Sequence, residues 1–386
     1  MSVASLTLEF VRSFAATDLV LYAGTNLHRV RGSDEVIDQI GMMPVIGPGR
    51  EKQQPNVAAL ARIEQLASTQ LCQVFHGAFA EARFHSCTLA NLAVFIALLT
   101  PGDTVICLDA SDGGHVSQNG EGMLAHLGVK LLPVPFDADR QCMDDGATAA
   151  LVRESRPRLV VFGPSVVIRA SDMASTSAAC RDVGAVLMMD VSHTAGLIAG
   201  GVLPNPLEQG ADLITASSYK TLGCPPAGFI VGSDQTLQDR IERATSPKLL
   251  SNYDAGRLLR FTTALVESRG SLESYAQAIV ANSAALRSAL IDERVPLLTP
   301  TDGVFGTHQI VILAARKQDA AQAVERLQQV GVTTSICGIP GRAGSWGIRL
   351  GTQLITRRGM GVDEMPRLAR IVAAETLRGE SRSHGQ

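Results

Sequence analysis

The chain has 386 residues, of which 46% are hydrophobic and 18% charged, so it is long enough to bury a large core and to form two domains. Its formal net charge of -3 argues against nucleic acid or an anionic membrane surface as a partner, and favours a small molecule. No apolar run of about 18 residues occurs, and residues 1–12 do not read as a signal peptide. We therefore expect a cytoplasmic protein without a membrane span.

Cysteine usage predicts neither a disulfide framework nor a metal site. The chain has seven cysteines, which are scattered and never form a CxxC pair. Most of them are expected to be small core residues.

Short apolar runs alternate with helical periodicity through the middle of the chain. The pattern predicts helices at 89–99, 120–127 and 171–183, and strands at 104–108, 129–134, 159–162, 185–190, 213–216 and 229–231. Because each strand is short and apolar on both faces, we predict an α/β fold with three layers, in which helices cover both faces of a mostly parallel sheet. Functional sites in such a fold gather at the strand ends.

The pattern changes beyond about residue 247. Helices are predicted at 254–269, 272–289 and 319–330, with a strand at 309–313, which is typical of a smaller α+β domain. The predicted organisation is an N-terminal arm (1–25), a large domain (26–253), and a linking helix with a small C-terminal domain (254–386). The polar tail at 379–386 is predicted to be disordered.

Two residues at predicted strand ends suggest a chemistry. Lys220 follows a buried strand within a run of small residues, where burial would lower the pKa of its ammonium and favour imine formation. Taken alone, Lys220 would more often be a surface lysine at a strand end. Asp190 closes the apolar strand 185–190, and is either a carboxylate in a site or a loop residue that caps a turn.

As a pair, these residues match the needs of pyridoxal 5'-phosphate (PLP). This cofactor requires a lysine for a Schiff base, a carboxylate that keeps the pyridine nitrogen protonated, and donors for its phosphate. We therefore predict a PLP enzyme that holds its cofactor on Lys220.

Longer motifs around the pair resemble those of serine hydroxymethyltransferases. The run DVSHTAGLIAGGVLPNP at 190–206 and the run SSYKTL at 217–222 resemble the family's DxAHxAGLxAxGxxPNP and THKTL motifs. Residues 90–105, 113–115 and 347–359 extend the resemblance over roughly residues 60 to 360. It implies the aspartate-aminotransferase-like fold (fold type I), and a homodimer with shared active sites.

The resemblance also implies roles for individual residues. Cofactor-binding residues are Ser86, Cys87 and Thr88 at the phosphate, His115 stacked on the pyridine ring, Ser165 near the ring hydroxyl, and Asp190, His193, Ser217 and Lys220. Cys87 replaces a glycine of the family and is interpreted as a packing residue. Arg349 matches the arginine that grips the substrate carboxylate, which implies an α-amino acid substrate. The catalytic candidates are Lys220, His115, Asp190 and Tyr219.

Three departures from the family separate this chain from a folate enzyme. Residues 44–55 stand where the family has a tyrosine-rich run that serves folate, and they contain no tyrosine and a single displaced acid, Glu51. The glycine-rich phosphate loop is replaced by 246–253, where Lys248, Ser251, Asn252 and Tyr253 are the alternative substitutes. Tyr219 replaces a histidine, and is either a proton-transfer group or a packing residue. These losses argue against folate-dependent one-carbon transfer.

The function then remains open between two reactions at the α or β carbon of an amino acid. The first is aldol-type cleavage of a β-hydroxy amino acid, or transfer of its aminoacyl fragment to an aldehyde. The second is β-elimination, or decarboxylation coupled to deamination, of a bulky cysteine-type conjugate. Serine hydroxymethyltransferase activity, aminotransfer and a non-catalytic binding role are less supported alternatives. By analogy alone, the high ratio of arginine to lysine favours a role in bacterial secondary metabolism.

Overall fold

The computed structural model describes residues 19–21, 45–46 and 57–378. The predicted N-terminal arm, the run at 44–55 and the tail at 379–386 therefore lie wholly or mostly outside the described residues. The helices are α1 (Val57–Phe75), α2 (Cys87–Leu98), α3 (Asp145–Ser155), α4 (Ala174–Val183), α5 (Ala195–Ala199), α6 (Gln238–Arg243), α7 (Ala255–Ser268), α8 (Leu272–Asp292), α9 (Lys317–Gln329), α10 (Gln353–Arg357) and α11 (Met365–Thr376).

The strands are β1 (Leu19–Val20), β2 (Val45–Ile46), β3 (Phe79–Phe84), β4 (Thr104–Cys107), β5 (Lys130–Pro133), β6 (Phe136–Asp137), β7 (Cys142–Met143), β8 (Leu159–Phe162), β9 (Val186–Asp190), β10 (Leu213–Ser217), β11 (Gly228–Gly232), β12 (Asn252–Tyr253), β13 (Gln309–Ala314), β14 (Val332–Thr333), β15 (Ser335–Gly338) and β16 (Trp346–Gly351). Among all these described residues, no helix combines the length and the apolar composition that crossing a bilayer requires.

A seven-stranded sheet forms the centre, in the order β3-β11-β10-β9-β8-β4-β5. Neighbouring strands from β10 to β5 run parallel, whereas β11 is antiparallel to β3 and β10. Helices α1, α3, α4 and α7 pack on one face, and α2 and α6 pack on the other. Strands β8, β10 and β11 are consequently buried along their whole length. The predicted α/β fold with a covered, mostly parallel sheet is confirmed.

A second, antiparallel sheet of β13, β16 and β15 follows the long helices α7 and α8. Helices α8, α9 and α11 pack against it in a separate hydrophobic core. Strand β1 pairs with β14, and Leu21 joins this second core. The chain thus has the smaller α+β portion that the change in pattern indicates, while the predicted limits at residues 25 and 253 stay a prediction.

One predicted helix is wrong, and some strands were missed. In the stretch 120–127, only Met123–His126 form a short 3-10 turn. Gly122 lies so close to Val116 that an added Cβ would stand 1.8 Å from the Val116 carbonyl oxygen, so the chain bends tightly there. Strand β3 escaped prediction because Glu81 and Arg83, which form an ion pair of 2.5 Å, interrupt its apolar run. The other predicted elements lie within a few residues of their predicted limits.

Candidate active site

A pocket lies at the carboxyl ends of the central strands. Its walls come from the turns that follow β3, β4, β8, β9 and β10. Every residue predicted to bind the cofactor lines it, together with Tyr219; the full lining is Ser86, Cys87, Thr88, His115, Ser117, Gln118, Gly163, Pro164, Ser165, Asp190, Ser192, His193, Ser217, Tyr219 and Lys220. The fold thus brings together residues that are far apart in the sequence.

Lys220 is the buried amine of this pocket, with 9% of its surface exposed. Burial lowers the pKa of its ammonium, and the Arg349 guanidinium acts in the same direction, against the opposing charges of Asp190 and Cys87. A lowered pKa increases the fraction of neutral amine, which is the form that attacks a carbonyl carbon.

The turn that carries Lys220 is held by hydrogen bonds to a neighbouring helix. The Thr221 hydroxyl donates to the His193 carbonyl at 2.9 Å and accepts from the Gly196 amide at 3.0 Å. An added Cβ at Gly196 would stand 2.2 Å from the Thr221 carbonyl oxygen. Only glycine therefore allows α5 to approach the lysine turn this closely.

Asp190 lies at the end of β9 with both carboxylate oxygens engaged. Its Oδ2 accepts hydrogen bonds from Gln118 Nε2 at 2.6 Å and Asn91 Nδ2 at 2.9 Å, and from the Cys87 thiol at 3.3 Å. Its Oδ1 accepts from the Ser192 amide at 3.0 Å. Several donors directed at one carboxylate stabilise its ionised form.

The start of α2 presents a site for an anion. Ser86 is the N-cap residue, and its hydroxyl accepts a hydrogen bond from the Leu89 amide at 3.3 Å. Amides at the start of a helix, with the helix dipole behind them, favour a phosphate group. Burial and the Asp190 charge raise the pKa of the neighbouring Cys87 well above its ordinary value. Cys87 therefore stays a thiol, which agrees with a packing role.

Both histidines of the pocket have lowered pKa values, chiefly because they are buried. Besides burial, Lys220 and Arg349 lower the pKa of His193. For His115, Lys220 and Arg349 again favour the neutral form, against the opposing charge of Asp190. His193 Nδ1 lies 3.0 Å from Gln309 Nε2, and its ring stacks on that of His308 with centroids 6.0 Å apart. Both imidazoles are expected to be neutral near pH 7.

Arg349 lies beside the pocket rather than in its wall. It belongs to β16, and its Nη1 donates to the Ser165 carbonyl at 2.6 Å. Arg349 and Ser165 also line an open cleft between the turn after β4 and the segment 336–349. The Arg349 guanidinium thus contacts the backbone of Ser165, a residue that lines both the pocket and the cleft.

The alternatives for the missing glycine loop lie away from the pocket. Lys248, Ser251, Asn252 and Tyr253, all within the described range 57–378, do not line it. The Tyr253 hydroxyl instead donates to Glu64 at 2.5 Å. Which group replaces the loop stays open in the single chain.

Sequence reasoning missed the polar residues behind the pocket. Gln118, Asn91 and Ser117 are each less than 5% exposed and bond to Asp190 or to one another. One signal was available for Asn91, which is the only amide in the otherwise apolar helix Cys87–Leu98. Gln118 carries no such signal, because it follows His115 in a turn whose shape the pattern does not specify.

This donor set fits PLP. The start of α2 suits its phosphate, Asp190, whose Oδ1 accepts one hydrogen bond from the Ser192 amide, suits a protonated pyridine nitrogen, and Lys220 supplies the amine within the same pocket.

Comparisons with known proteins agree with this geometry. The family model for serine hydroxymethyltransferase matches residues 56–372. The chain belongs to the serine hydroxymethyltransferase family. An α-methylserine aldolase of Variovorax paradoxus is 36% identical over 349 residues, covering 89% of this chain and 78% of the relative. A serine hydroxymethyltransferase of Pyrobaculum neutrophilum is 35% identical over 327 residues, covering 82% of this chain and 75% of the relative.

Among solved structures, the chain is similar to an L-threonine transaldolase of Pseudomonas fluorescens in its internal aldimine state. The TM-score is 0.89 at 25% identity, covering 97% of this chain and 87% of the other. The fold-type I architecture and the PLP cofactor predicted from the sequence are confirmed. This member of the serine hydroxymethyltransferase family is a PLP-dependent lyase or transferase.

Proposed function

We propose that this enzyme cleaves, without folate, the Cα–Cβ bond of a β-hydroxy-α-amino acid, and that it can pass the aminoacyl fragment to an aldehyde. The observation that carries the proposal is the convergence of Lys220, Asp190 and His115 in one buried pocket with Arg349 at its edge. The names of the relatives, α-methylserine aldolase and L-threonine transaldolase, support a substrate with a hydroxyl on the β carbon.

In the proposed reaction the β-hydroxyl loses its proton, a carbonyl forms at Cβ, and the Cα–Cβ electron pair stays on Cα until a proton or a second aldehyde takes it. When bound, PLP withdraws that electron pair. Arg349 binds the carboxylate and so orients the Cα–Cβ bond for cleavage. Asp190 would hold the pyridine nitrogen of PLP, and Lys220 would supply the amine that forms a Schiff base with its aldehyde. Tyr219 and His115 line the pocket and are the side chains proposed to contact the oxygen on the β carbon of the substrate.

Aldol-type cleavage is favoured over β-elimination because the relatives include α-methylserine aldolases and an L-threonine transaldolase. The open cleft beside Arg349 would also admit a bulky side chain, so elimination from a cysteine-type conjugate remains the second reaction to test. Loss of the tyrosines at 44–55 supports independence from folate.

We also propose that the enzyme is a cytoplasmic homodimer with shared active sites, in bacterial secondary metabolism. Its family resemblance supports the dimer, as do the exposed Leu66 on α1 and Val266 on α7, two helices that pack together. A partner subunit would also supply groups near the exposed Thr88 at the start of α2.

The test is a product screen of the purified holoenzyme with glycine, L-serine, α-methylserine, L-threonine and S-substituted cysteines, each with and without tetrahydrofolate. We expect formaldehyde from α-methylserine or acetaldehyde from threonine, at rates that tetrahydrofolate does not change. Lys220→Ala is the control for background reactions. Pyruvate and ammonia from a cysteine conjugate, with the hydroxy amino acids inert, would replace the proposal with β-elimination. Aldehyde release only with tetrahydrofolate would contradict folate independence.

A further inference from the structure

A continuous chain of buried hydrogen bonds runs behind the pocket from β10 to His115. The Thr215 hydroxyl donates to Asn91 Oδ1 at 2.6 Å, and Asn91 Nδ2 lies 3.0 Å from the Ser117 hydroxyl. The Ser117 hydroxyl in turn lies 2.8 Å from His115 Nδ1. Thr215 and Asn91 are fully buried, and Ser117 is 4% exposed. Water is therefore kept away from the chain, and each group must find its partner within it.

The direction of each bond follows from Asp190. A carboxylate only accepts hydrogen bonds, so the side of the Asn91 amide that faces Asp190 Oδ2 at 2.9 Å must be its NH2 group. The second hydrogen of that group points to the Ser117 oxygen. Asn91 Oδ1 is left to accept from Thr215, which has a hydroxyl to donate. The amide therefore has one orientation that satisfies all of its partners.

The hydrogen bond from Asn91 to Ser117 fixes the direction of the next bond, from the Ser117 hydroxyl to the His115 imidazole. Because its oxygen accepts from Asn91, its own hydrogen is free to donate to His115 Nδ1. The backbone amide of Ser117 donates to the same nitrogen at 3.2 Å, since His115 caps the short turn Val116–Gln118. A nitrogen that accepts two hydrogen bonds carries no hydrogen, so the proton of the neutral ring is on Nε2.

We propose that Asn91 and Ser117 are positioning residues that hold His115 as the Nε2–H tautomer, so that His115 acts on the substrate as a hydrogen-bond donor and not as a base. The inference rests on the proposed function for the identity of the recipient, which is an oxygen of the hydroxy amino acid or of the aldehyde. Because Nδ1 is turned to Ser117, Nε2 is the ring nitrogen available to that oxygen. The Nε2–H bond is kept throughout, so the proton of the β-hydroxyl goes to Lys220, the pocket amine whose neutral form burial favours.

The charged and titratable groups around His115 agree with a neutral ring. Burial together with Lys220 and Arg349 lowers the pKa of His115, and the Asp190 charge opposes them. A neutral ring with a fixed tautomer donates at Nε2.

The experiment reads the tautomer directly. Holoenzyme with ¹⁵N-labelled histidine is studied by two-bond ¹H–¹⁵N correlation spectra, in which the coupling pattern distinguishes an Nε2–H ring from an Nδ1–H ring. The chain has eight histidines, and His115→Asn identifies the signal that belongs to His115. We expect the Nε2–H pattern from pH 6 to pH 8. An Nδ1–H pattern, or a protonated ring at pH 8, would overturn the inference.

Variants of Ser117 test the chain itself. Ser117→Ala removes the hydroxyl but keeps the backbone donor, so we expect a mixture of tautomers and a roughly 2- to 10-fold loss of kcat with little change in KM. Ser117→Thr keeps a hydroxyl at the same place and should restore the Nε2–H pattern. The cofactor absorbance of each variant shows that the pocket is still formed. If Ser117→Ala leaves both the spectrum and kcat unchanged, Ser117 has no positioning role.

The spectrum is recorded without substrate, so it separates this inference from the proposed reaction. An Nε2–H pattern in an enzyme that cleaves no hydroxy amino acid would support the hydrogen-bond chain and contradict the proposed function. Aldolase activity together with an Nδ1–H pattern would support the proposed function and contradict the inference about the tautomer.

Discussion

Asp190 shows how single residues acquire their chemistry from neighbours that are distant in sequence. Its oxygens accept hydrogen bonds from Cys87, Asn91, Gln118 and the Ser192 amide. The strand end predicts where the acid lies, whereas only the fold brings Cys87, Asn91 and Gln118 to it.

Arg349 is the residue whose removal most directly tests substrate recognition. In Arg349→Ala holoenzyme we expect amino acid binding to weaken by about 1.5–3 kcal/mol, or roughly 10- to 100-fold in Kd, because a charged hydrogen-bonding partner of the carboxylate is lost. Difference absorbance spectra on titration with the amino acid measure Kd.

The matched control is Arg342→Ala, which removes an exposed positive charge from the same cleft. It should change Kd by less than about 3-fold, since an exposed charge acts weakly through water. An equal increase in Kd in both variants would contradict a specific contact between Arg349 and the substrate carboxylate. The same holds if wild-type enzyme binds an amine without a carboxylate as tightly as the amino acid.

At the level of elements, the contact between α5 and the lysine turn is a tight constraint near the site. Gly196→Ala would place a Cβ 2.2 Å from the Thr221 carbonyl oxygen, and backbone on both sides must move to relieve it. We expect a loss of about 1–3 kcal/mol in the free energy of unfolding. Urea unfolding followed by circular dichroism measures it.

Gly270→Ala provides the comparison, because no atom lies within 4 Å of the position that its Cβ would occupy. This variant should unfold close to wild type. Equal stability of the two variants would show that the approach of α5 to the Lys220 turn is not a constraint on the fold.

The helices and strands also show which elements a hydrophobic pattern in the sequence can predict. Strands β8, β9 and β10 are apolar on both faces, so their existence and the polar residues at their ends follow from composition alone. The helix predicted at 120–127 failed because hydrophobic spacing does not record the close approach of Gly122 to Val116. Strand β3 was missed because its buried Glu81 and Arg83 neutralise one another only once the chain is folded.

For the whole molecule, the buried neutral histidines should make stability depend on pH. Burial is the main cause that lowers the pKa of His193 well below 6.5. Below about pH 6.5 the unfolded chain binds a proton that the folded state rejects, so this stability is present at higher pH and is lost as pH falls. We expect a slope of up to about 1.4 kcal/mol per pH unit from His193 between pH 6.5 and 5.

Urea unfolding at a series of pH values measures how the free energy of unfolding changes with pH. His193→Gln should reduce this slope by the amount that corresponds to about one bound proton. His126→Gln is the control, since His126 is exposed and should leave the slope as it is in wild type. An unchanged slope in His193→Gln would mean that His193 is charged or exposed in the folded protein.

The amino-acid sequence by itself determined the fold class, the cofactor and the family, because these depend on periodicity and on motifs whose residues are close together in the chain. It also named Lys220, Asp190 and Arg349 as site residues, and their roles stay a prediction. Only the tertiary structure brought Asn91, Ser117 and Gln118 to Asp190 and to one another, and placed Arg349 beside the pocket. These arrangements depend on contacts between buried polar groups that form only when strands and helices pack. Local spacing in the sequence does not predict such contacts.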